Sequence, residues 1–350
     1  MIDASLRSNT YVQDILDQPL ALRNTIKTLS ETDYSVFKPL IGQLYSGKSQ
    51  RIILTGMGAS YQMLYPIFYS LVEHGVHAQM VETSELIHYA SNLLEPSTPV
   101  VAVSQSGSSV EIIKLLEMIH GKVMLLGVTN SPDSPFAKNA DAVLFTDAGV
   151  ENMVSCKTYV TALAALSVLS RILTRQEPDS ILGVLQSAPE LVENYLSRWE
   201  THIESALGIV KDVQFLMLAG RGASLAAANS GGLIIKEAGH FPAEGMSCAA
   251  FRHGPLDMMS SQTLAVIFEG GRKTANLNSA LVDEMLKAGI KAHLVQQMDE
   301  VNVFSVPHSS PSVLPILEIL PAQMLSLALA VTCGHSPGHF KHISKVTAKE

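Results

Sequence analysis

The stretch that decides the fold is Val100-Val101-Ala102-Val103-Ser104-Gln105-Ser106-Gly107-Ser108-Ser109-Val110-Glu111. Its first four residues form an apolar run typical of a buried strand, and the apolar spacing after Glu111 predicts a helix. A turn placed between a strand and a helix faces free backbone N–H groups and the positive end of the helix dipole. One N-cap needs a single hydroxyl, so four serines in this turn favour phosphate binding over capping alone.

The composition argues against several classes of function. Of the 350 residues, 47% are apolar and 16% are charged, and the net charge is −8. An acidic chain without a basic segment is unsuited to nucleic acid or to an anionic membrane. The three cysteines, Cys156, Cys248 and Cys333, lack metal-ligand spacing, so we expect no metal site and a reducing, cytoplasmic location. We also expect neither a signal peptide nor an apolar run that spans a membrane.

Strand-like runs alternate with helical patterns through the first half of the chain. The runs lie at residues 51–55, 78–81, 100–103, 123–128 and 142–145. This alternation predicts an α/β fold, in which a mostly parallel, doubly wound sheet is covered by helices on both faces. Residues 1–45 read as two amphipathic helices, Thr158 to Leu173 as a buried helix, and Gln186 to Ile209 as a linking helix.

The chain also repeats itself. Ile53-Leu54-Thr55-Gly56-Met57-Gly58-Ala59-Ser60 is echoed by Met217-Leu218-Ala219-Gly220-Arg221-Gly222-Ala223-Ser224, and the same offset sets Ala102–Gly107 against Val266–Gly271. Two matches at one offset indicate a duplicated α/β unit. We therefore predict N-terminal helices over 1–45, a first subdomain with the serine turn over 46–190, a second over 191–333, and a tail over 334–350. The second unit has Glu269-Gly270-Gly271-Arg272 where the first has serines, which suggests that it has lost the phosphate site.

The Gly-x-Gly turns also admit a dinucleotide-binding interpretation. That fingerprint needs a third glycine, and neither Gly56-x-Gly58 nor Gly220-x-Gly222 has one. Glu82 would nevertheless take the place of the acid that binds a ribose. A nicotinamide cofactor thus stays as the minor alternative, and we expect no cofactor.

Three further residues are candidates for chemistry, each with a plainer interpretation. Glu237, toward the end of a helical run from Leu225, is either a solvated helix residue or a base whose pKa burial would raise. His253, in Arg252-His253-Gly254-Pro255, is either an ordinary loop histidine or an acid–base group. Lys345, near the C-terminus, is either a solvated end or an amine that forms an imine with a sugar carbonyl.

Taken together, these motifs resemble the sugar isomerase (SIS) family, most closely the isomerase domain of the glucosamine-6-phosphate synthases. The similarity covers almost the whole chain. Ser104-Gln105-Ser106-Gly107 resembles the family's phosphate loop, and Val154-Ser155-Cys156-Lys157-Thr158 resembles its A-S-T-K segment. Lys236-Glu237, Ala243-Glu244 and His253-Gly254-Pro255 follow the family's K-E, A-E and H-G-P order. Lys345 stands five residues before the last residue, as does the family's terminal lysine.

The resemblance implies two tandem SIS subdomains of flavodoxin-like topology and a role for each motif. The 6-phosphate of a sugar would be held by Ser60, Ser104, Gln105, Ser106 and Ser109. Glu237 would carry a proton between C1 and C2, and Lys345 would form the imine. Ser155 would contact sugar hydroxyls, and Glu244 would support the site. His253 would open the sugar ring from the neighbouring subunit, which implies a homodimer.

Departures from the synthase pattern direct the expected reaction. These residues include no glutaminase-like segment, so we expect an activity that does not depend on glutamine. Ile234 replaces a lysine one helical turn before the glutamate, Ala59 replaces a threonine, and Ser108 replaces the acidic residue of the loop. We expect a deaminase or deglycase acting on an amino-sugar or fructosamine 6-phosphate. The alternatives are a plain aldose–ketose isomerase and a non-catalytic sugar-phosphate sensor.

Overall fold

The computed structural model describes residues 2, 4–46, 51–342, 344, 345 and 347. The chain divides into two compact units. The first-sheet unit comprises Leu20–Val150, Lys157–Gln186 and Ile343–Glu350; the second-sheet unit comprises Met1–Pro19, Glu151–Cys156 and Ser187–His342.

The helices largely follow the apolar spacing of the sequence. In chain order they are α1 Ala4–Arg7, α2 Thr10–Leu16, α3 Gln18–Ser30, α4 Lys38–Tyr45, α5 Ala59–Gln62, α6 Tyr65–Glu73, α7 Thr83–His88, α8 Val110–Ile119, α9 Pro135–Asn139, α10 Lys157–Leu173, α11 Pro178–Leu185, α12 Ala188–Leu196, α13 Trp199–Ile209, α14 Leu225–Gly239, α15 Cys248–Arg252, α16 Ala275–Lys287 and α17 Leu314–Thr332. The expected buried helix is α10, in which every residue except Ser167 and Arg171 is buried. The expected linking helix is instead two helices, α12 and α13, because the chain turns between Leu196 and Trp199.

The first-sheet unit is built on one parallel sheet. Its strands are β1 Ile52–Thr55, β2 Ala78–Met80, β3 Val100–Val103, β4 Leu125–Thr129 and β5 Ala142–Phe145. They lie in the order β2-β1-β3-β4-β5, and all neighbours are parallel. β1, β3 and β4 are buried along their whole length, which is why they read as continuous apolar runs rather than as alternating patterns.

The second-sheet unit repeats this plan. Its strands are β6 Phe215–Gly220, β7 Ala243–Ser247, β8 Thr263–Phe268, β9 Lys291–Gln297 and β10 Ser305–Val306. Their order across the sheet is β10-β9-β8-β6-β7, again with parallel neighbours. Read from the other edge, this order matches that of the first sheet strand for strand. Both sheets thus have the flavodoxin-like, doubly wound topology, and the expected fold class is confirmed.

The repeated glycines have the same structural reason in both units. A Cβ placed on Gly56 would lie 2.8 Å from the backbone of Ser60, and one on Gly220 would lie 2.9 Å from the backbone oxygen of Ser224. Any side chain at these positions would collide with the helical turn that follows each first strand. This shared contact explains why the sequence repeat is strongest there.

One helix of the second-sheet unit is unusually apolar. Among the described residues, α17 is the one helix long and apolar enough to cross a membrane, although Glu318 interrupts its apolar run. The fold buries 94% of its most apolar window. Its composition is therefore explained by its place in the core.

Candidate active site

The serine loop (residues 104–109) joins β3 to α8 and is shaped by its own side chains. The Ser104 hydroxyl is buried and accepts a hydrogen bond of 3.1 Å from the Gly107 amide. The Ser106 hydroxyl accepts one of 3.3 Å from the Ser108 amide. Gly107 has a φ of +60°, in the left-handed region that favours glycine. Bonds within the loop therefore set its shape, as preorganised binding requires.

The segment that follows β4 braces this loop. The Gln105 carbonyl accepts hydrogen bonds of 3.2 Å from the hydroxyls of Thr129 and Ser131. Behind the loop, a Cβ on Gly107 would lie 2.7 Å from the Cβ of Ser134. Only glycine fits there, so the single glycine of the serine loop serves both its turn and its packing.

The loop keeps donors that no described protein group uses. Ser109 is the N-cap residue of α8, yet its side chain makes no capping hydrogen bond. The hydroxyls of Ser104 and Ser106 act as acceptors in the bonds above, which leaves their protons for another partner. Within the described residues, the backbone amides of Gln105, Ser106 and Ser109 also donate no hydrogen bond. This set of O–H and N–H donors beside a helix N-terminus suits a phosphate group.

Ser60 lies at the same edge of the first sheet. It is half-buried in the first turn of α5. This helix begins directly after Gly58, whose φ is +51°. β1 pairs with both β2 and β3, so the strand order reverses at its carboxyl end. In open α/β sheets, ligands bind at such a reversal. The structure thus places Ser60 and the serine loop on the edge where a ligand is expected.

The C-terminal tail reaches the serine loop's helix within the first-sheet unit. Lys345 is half-buried, and two residues later the Thr347 carbonyl accepts a hydrogen bond from Val110, the first residue of α8. The sequence places Ile343 and Val346 beside Lys345, but both lie outside the described residues.

Glu237 lies in the last turn of α14, in the second-sheet unit. The helix is held very close to β7: a Cβ on Gly232 would lie 2.7 Å from the amide nitrogen of Gly245. This approach fixes the position of α14 against β7. The Glu237 side chain is half-buried, between the two interpretations that the sequence allowed, whereas Ile234, one turn earlier, is 1% exposed.

Tyr11 is a neighbour of Glu237 that the sequence did not reveal. It comes from α2, is fully buried, and its hydroxyl lies 3.4 Å from the Ser326 hydroxyl. Burial raises its pKa well above the ordinary value, and the charges of Cys156, Glu237 and Glu151 raise it further. Its phenol therefore stays protonated at neutral pH. No motif marks it, because a lone tyrosine in an amphipathic helix looks like an ordinary core residue.

The remaining predicted residues of the second-sheet unit are more exposed. Ser155 is half-buried in the loop before α10. Glu244, on β7, forms an ion pair of 3.5 Å with Lys236. His253 is exposed at the end of α15. The structure thus brings Glu237 and Glu244 to neighbouring elements, α14 and β7, and leaves His253 on the surface of this chain.

In the second-sheet unit, protein groups fill the positions that correspond to Ser60 and to the serine loop. The Ser224 hydroxyl, equivalent to that of Ser60, donates a 2.8 Å hydrogen bond to Glu318 Oε1. Gly270 has a φ of +70°, and a Cβ there would lie 2.8 Å from the Ser224 hydroxyl. A buried carboxyl group and a filled turn are unsuited to a phosphate. This arrangement supports the interpretation that the phosphate site was lost here.

Glu318 is the most perturbed carboxyl group among the groups with a resolved shift. Burial raises its pKa from 4.5 to about 8, its hydrogen bond from Ser224 lowers it, and the charge of Glu269 raises it. Glu318 Oε2 has no hydrogen-bond partner among the described atoms. The side chain is therefore largely protonated at neutral pH. In the part of the chain that the structure describes, no group of three His, Cys, Asp or Glu side chains is arranged to hold a metal.

Comparison with known proteins agrees with the fold. A family model described as the SIS domain matches residues 45–170 and 211–332. The glutamine–fructose-6-phosphate aminotransferase (isomerizing) of Pyrococcus horikoshii is 28% identical over 354 residues, covering 97% of this chain and 57% of that protein. The chain thus spans little more than half the length of that relative.

Two solved structures share the fold. The C-terminal domain of glucosamine-fructose-6-phosphate aminotransferase from Francisella tularensis superposes with a TM-score of 0.82 at 21% identity, covering 98% of both chains. Glucosamine-6-phosphate deaminase from Thermotoga maritima superposes with a TM-score of 0.74 at 18% identity, covering 97% of this chain and 100% of that one. At these identities the likeness concerns the fold.

Proposed function

The chain belongs to the SIS-domain family, and from this premise we propose that it is an enzyme that removes the amine from an amino-sugar or fructosamine 6-phosphate. Water replaces the amine: the C–N bond breaks, a C=O bond forms, and a proton moves between C1 and C2, without net oxidation. The proposal includes no cofactor and no use of glutamine. The single observation that carries it is the serine loop with its unused donors.

The loop supports a phosphosugar as substrate. The hydroxyls of Ser104, Ser106 and Ser109 and the loop's backbone amides offer the O–H and N–H donors that phosphate oxygens accept. Binding at this remote group would hold the sugar and lower the entropic cost of aligning C1 and C2. Ser60, at the same sheet edge, would add a further hydroxyl.

Glu237 supports the proton transfer. Its half-buried carboxylate on a tightly packed helix suits a base that takes a proton from one carbon and returns it to the next. Lys345 would form the imine, Ser155 would contact the sugar hydroxyls, and Glu244 would support the site. The proposal takes each of these roles from the family resemblance.

Ile234, one helical turn before Glu237, supports a reaction other than that of the synthases. The synthase pattern has a lysine where this chain has Ile234, which is 1% exposed and packed in the core. An amine there would have served nitrogen chemistry, and an isoleucine cannot. The release of an amine needs only water as a co-reactant, so it requires no second substrate that donates nitrogen.

Release of amine from defined substrates tests the proposal. The purified chain is incubated with glucosamine 6-phosphate and with fructosamine 6-phosphates, and ammonia or free amine is measured; Glu237→Gln is the control. We expect release by the native chain and almost none by the variant. Turnover of plain hexose 6-phosphates without amine release would instead identify an isomerase. Saturable binding without turnover of any phosphosugar would identify a sensor.

A further inference from the structure

The root of the C-terminal tail is fastened to the end of the helix that carries Glu237. His240 follows α14 directly, and its Nε2 donates a hydrogen bond of 2.8 Å to the His339 carbonyl. The Gly338 amide donates one of 3.2 Å to the carbonyl of Ala238, the residue after Glu237. Two bonds thus join the tail root, residues 336–339, to the last turn of α14.

The other side of the tail root packs on the N-terminal helices. Asn9 Nδ2 donates to the Ser336 hydroxyl and to the Pro337 carbonyl, each at 3.2 Å. Gly338 has a φ of +78°, and a Cβ there would lie 2.6 Å from the Cβ of Tyr11. The root is therefore held between Tyr11, itself a neighbour of Glu237, and the end of α14.

His240 occupies a backbone position that disfavours it. Its φ of +47° and ψ of +40° are left-handed, and it caps the C-terminus of α14, where glycine is the usual residue. A side chain in this conformation costs about 1 kcal/mol relative to glycine. A carbonyl can only accept, so Nε2 carries the ring proton in this bond. Burial lowers the pKa of His240, which keeps the ring neutral at pH 7.

We propose that His240 is a positioning residue, which fixes the root of the tail on the Glu237 helix so that Lys345 is delivered to the substrate. This inference rests on the proposed function, because it assumes that Lys345 forms the imine. Lys345 follows His339 by six residues, and six extended residues span at most about 20 Å. A fixed root confines the lysine to this range and raises its effective concentration at the sugar. A glycine at position 240 would relieve the backbone but would supply no side-chain donor.

Two substitutions at His240 distinguish the effect of its side-chain donor from the effect of its backbone conformation. His240→Gly relieves the left-handed strain and removes the donor, so the fold is kept while the tail root loosens. His240→Asn tolerates the same backbone and keeps an N–H donor. His335→Ala is the matched control, because the His335 ring lies 5.2 Å from that of His240 but takes no part in the bond to His339.

The readouts are the rate of tail cleavage by trypsin, borohydride trapping of the imine with glucosamine 6-phosphate, and kcat and KM. For His240→Gly we expect faster cleavage at Lys341 and Lys345 and a kcat lowered about tenfold with KM little changed, as expected when a reacting group is misplaced. Trapping should slow in parallel, His240→Asn should recover part of each loss, and His335→Ala should behave like the native chain.

The outcomes separate this inference from the proposed function. Native-like cleavage in His240→Gly overturns the inference, whatever happens to turnover. Faster cleavage with unchanged kcat and trapping overturns it too. In that case the tail root would have loosened without any effect on the chemistry of Lys345. A native chain that turns over no phosphosugar, with faster cleavage in His240→Gly, refutes the proposed function and keeps only the anchoring of the tail.

Discussion

The backbone carbonyl of Thr347 accepts a hydrogen bond of 3.2 Å from the amide of Val110. Val110 is the first residue of the helix that follows the serine loop, and Thr347 is two residues beyond Lys345. The tail therefore uses, through Thr347, a free N–H of the helix N-terminus beside the serine loop. Docking of the tail and the proposed binding of a phosphate would therefore draw on neighbouring donors of a single helix end.

Replacing Val110 with proline removes this donor and little else. Proline is favoured at the first position of a helix, and Ser109 before it already has φ −64° and ψ 152°, which proline allows. We expect Val110→Pro to change stability by less than about 1 kcal/mol while tail cleavage quickens and turnover falls. Val110→Ala keeps the amide and is the control. Equal cleavage of both variants would show that this bond does not hold the tail.

We expect removal of the Ser109 hydroxyl to weaken the proposed binding of a phosphosugar without weakening the helix. Its side chain makes no capping bond, so Ser109→Ala has little to lose in stability. A lost hydrogen bond to a charged phosphate costs about 1.5–3 kcal/mol, which raises Kd or KM about 10- to 150-fold. Ser108→Ala, in the exposed part of the loop, should stay near the native value. Calorimetric titration measures the affinity, and thermal unfolding measures the stability. A Ser109→Ala variant that is destabilised but binds with native affinity would show that Ser109 caps the helix and does not bind the phosphate.

Mixing two inactive variants tests the proposed exchange of His253 between subunits. Glu237→Gln and His253→Ala homodimers should each be almost inactive. After denaturation and joint refolding, half of the molecules are mixed dimers with one intact site, so activity should recover to about a quarter of the native value. His253 is exposed in the single chain, which is compatible with a partner's site. Should the mixture stay inactive while dimers form, His253 acts within its own chain or not at all.

The buried carboxyl group of Glu318 makes stability fall as pH rises. Its pKa is raised from 4.5 to about 8 in the folded state, so between these values the folded chain holds a proton that the unfolded chain has released. The contribution is complete below pH 4.5 and disappears as the pH rises through 8, with a slope of at most about 1.4 kcal/mol per pH unit. Urea unfolding between pH 5 and 9 should show this slope, and Glu318→Gln should abolish it. Glu204→Gln, at an exposed glutamate, controls for the change in charge.

The fold was largely predictable from local pattern. Buried parallel strands are apolar along their whole length, and glycine is required wherever a helical turn contacts the strand end, as at Gly56 and Gly220. These requirements are local, so they appear as runs and repeats. The boundaries of the helices and strands were predicted less well. β4 begins at Leu125 rather than at the predicted Val123, and the predicted linking helix is divided into α12 and α13. Apolar spacing continues through such turns, and only packing decides where a helix stops.

For the candidate site, the sequence by itself determined which residues are candidates for the chemistry: the serine loop, Glu237, His253 and Lys345 follow one another along the chain in the order of the family's motifs. Only the tertiary structure decided what surrounds them. Tyr11 beside Glu237, His240 on the tail root, and Ser224 bound to Glu318 join residues distant in sequence. No motif records such pairs, because any polar side chain of suitable shape satisfies them and their partners are chosen by the packing of the folded chain.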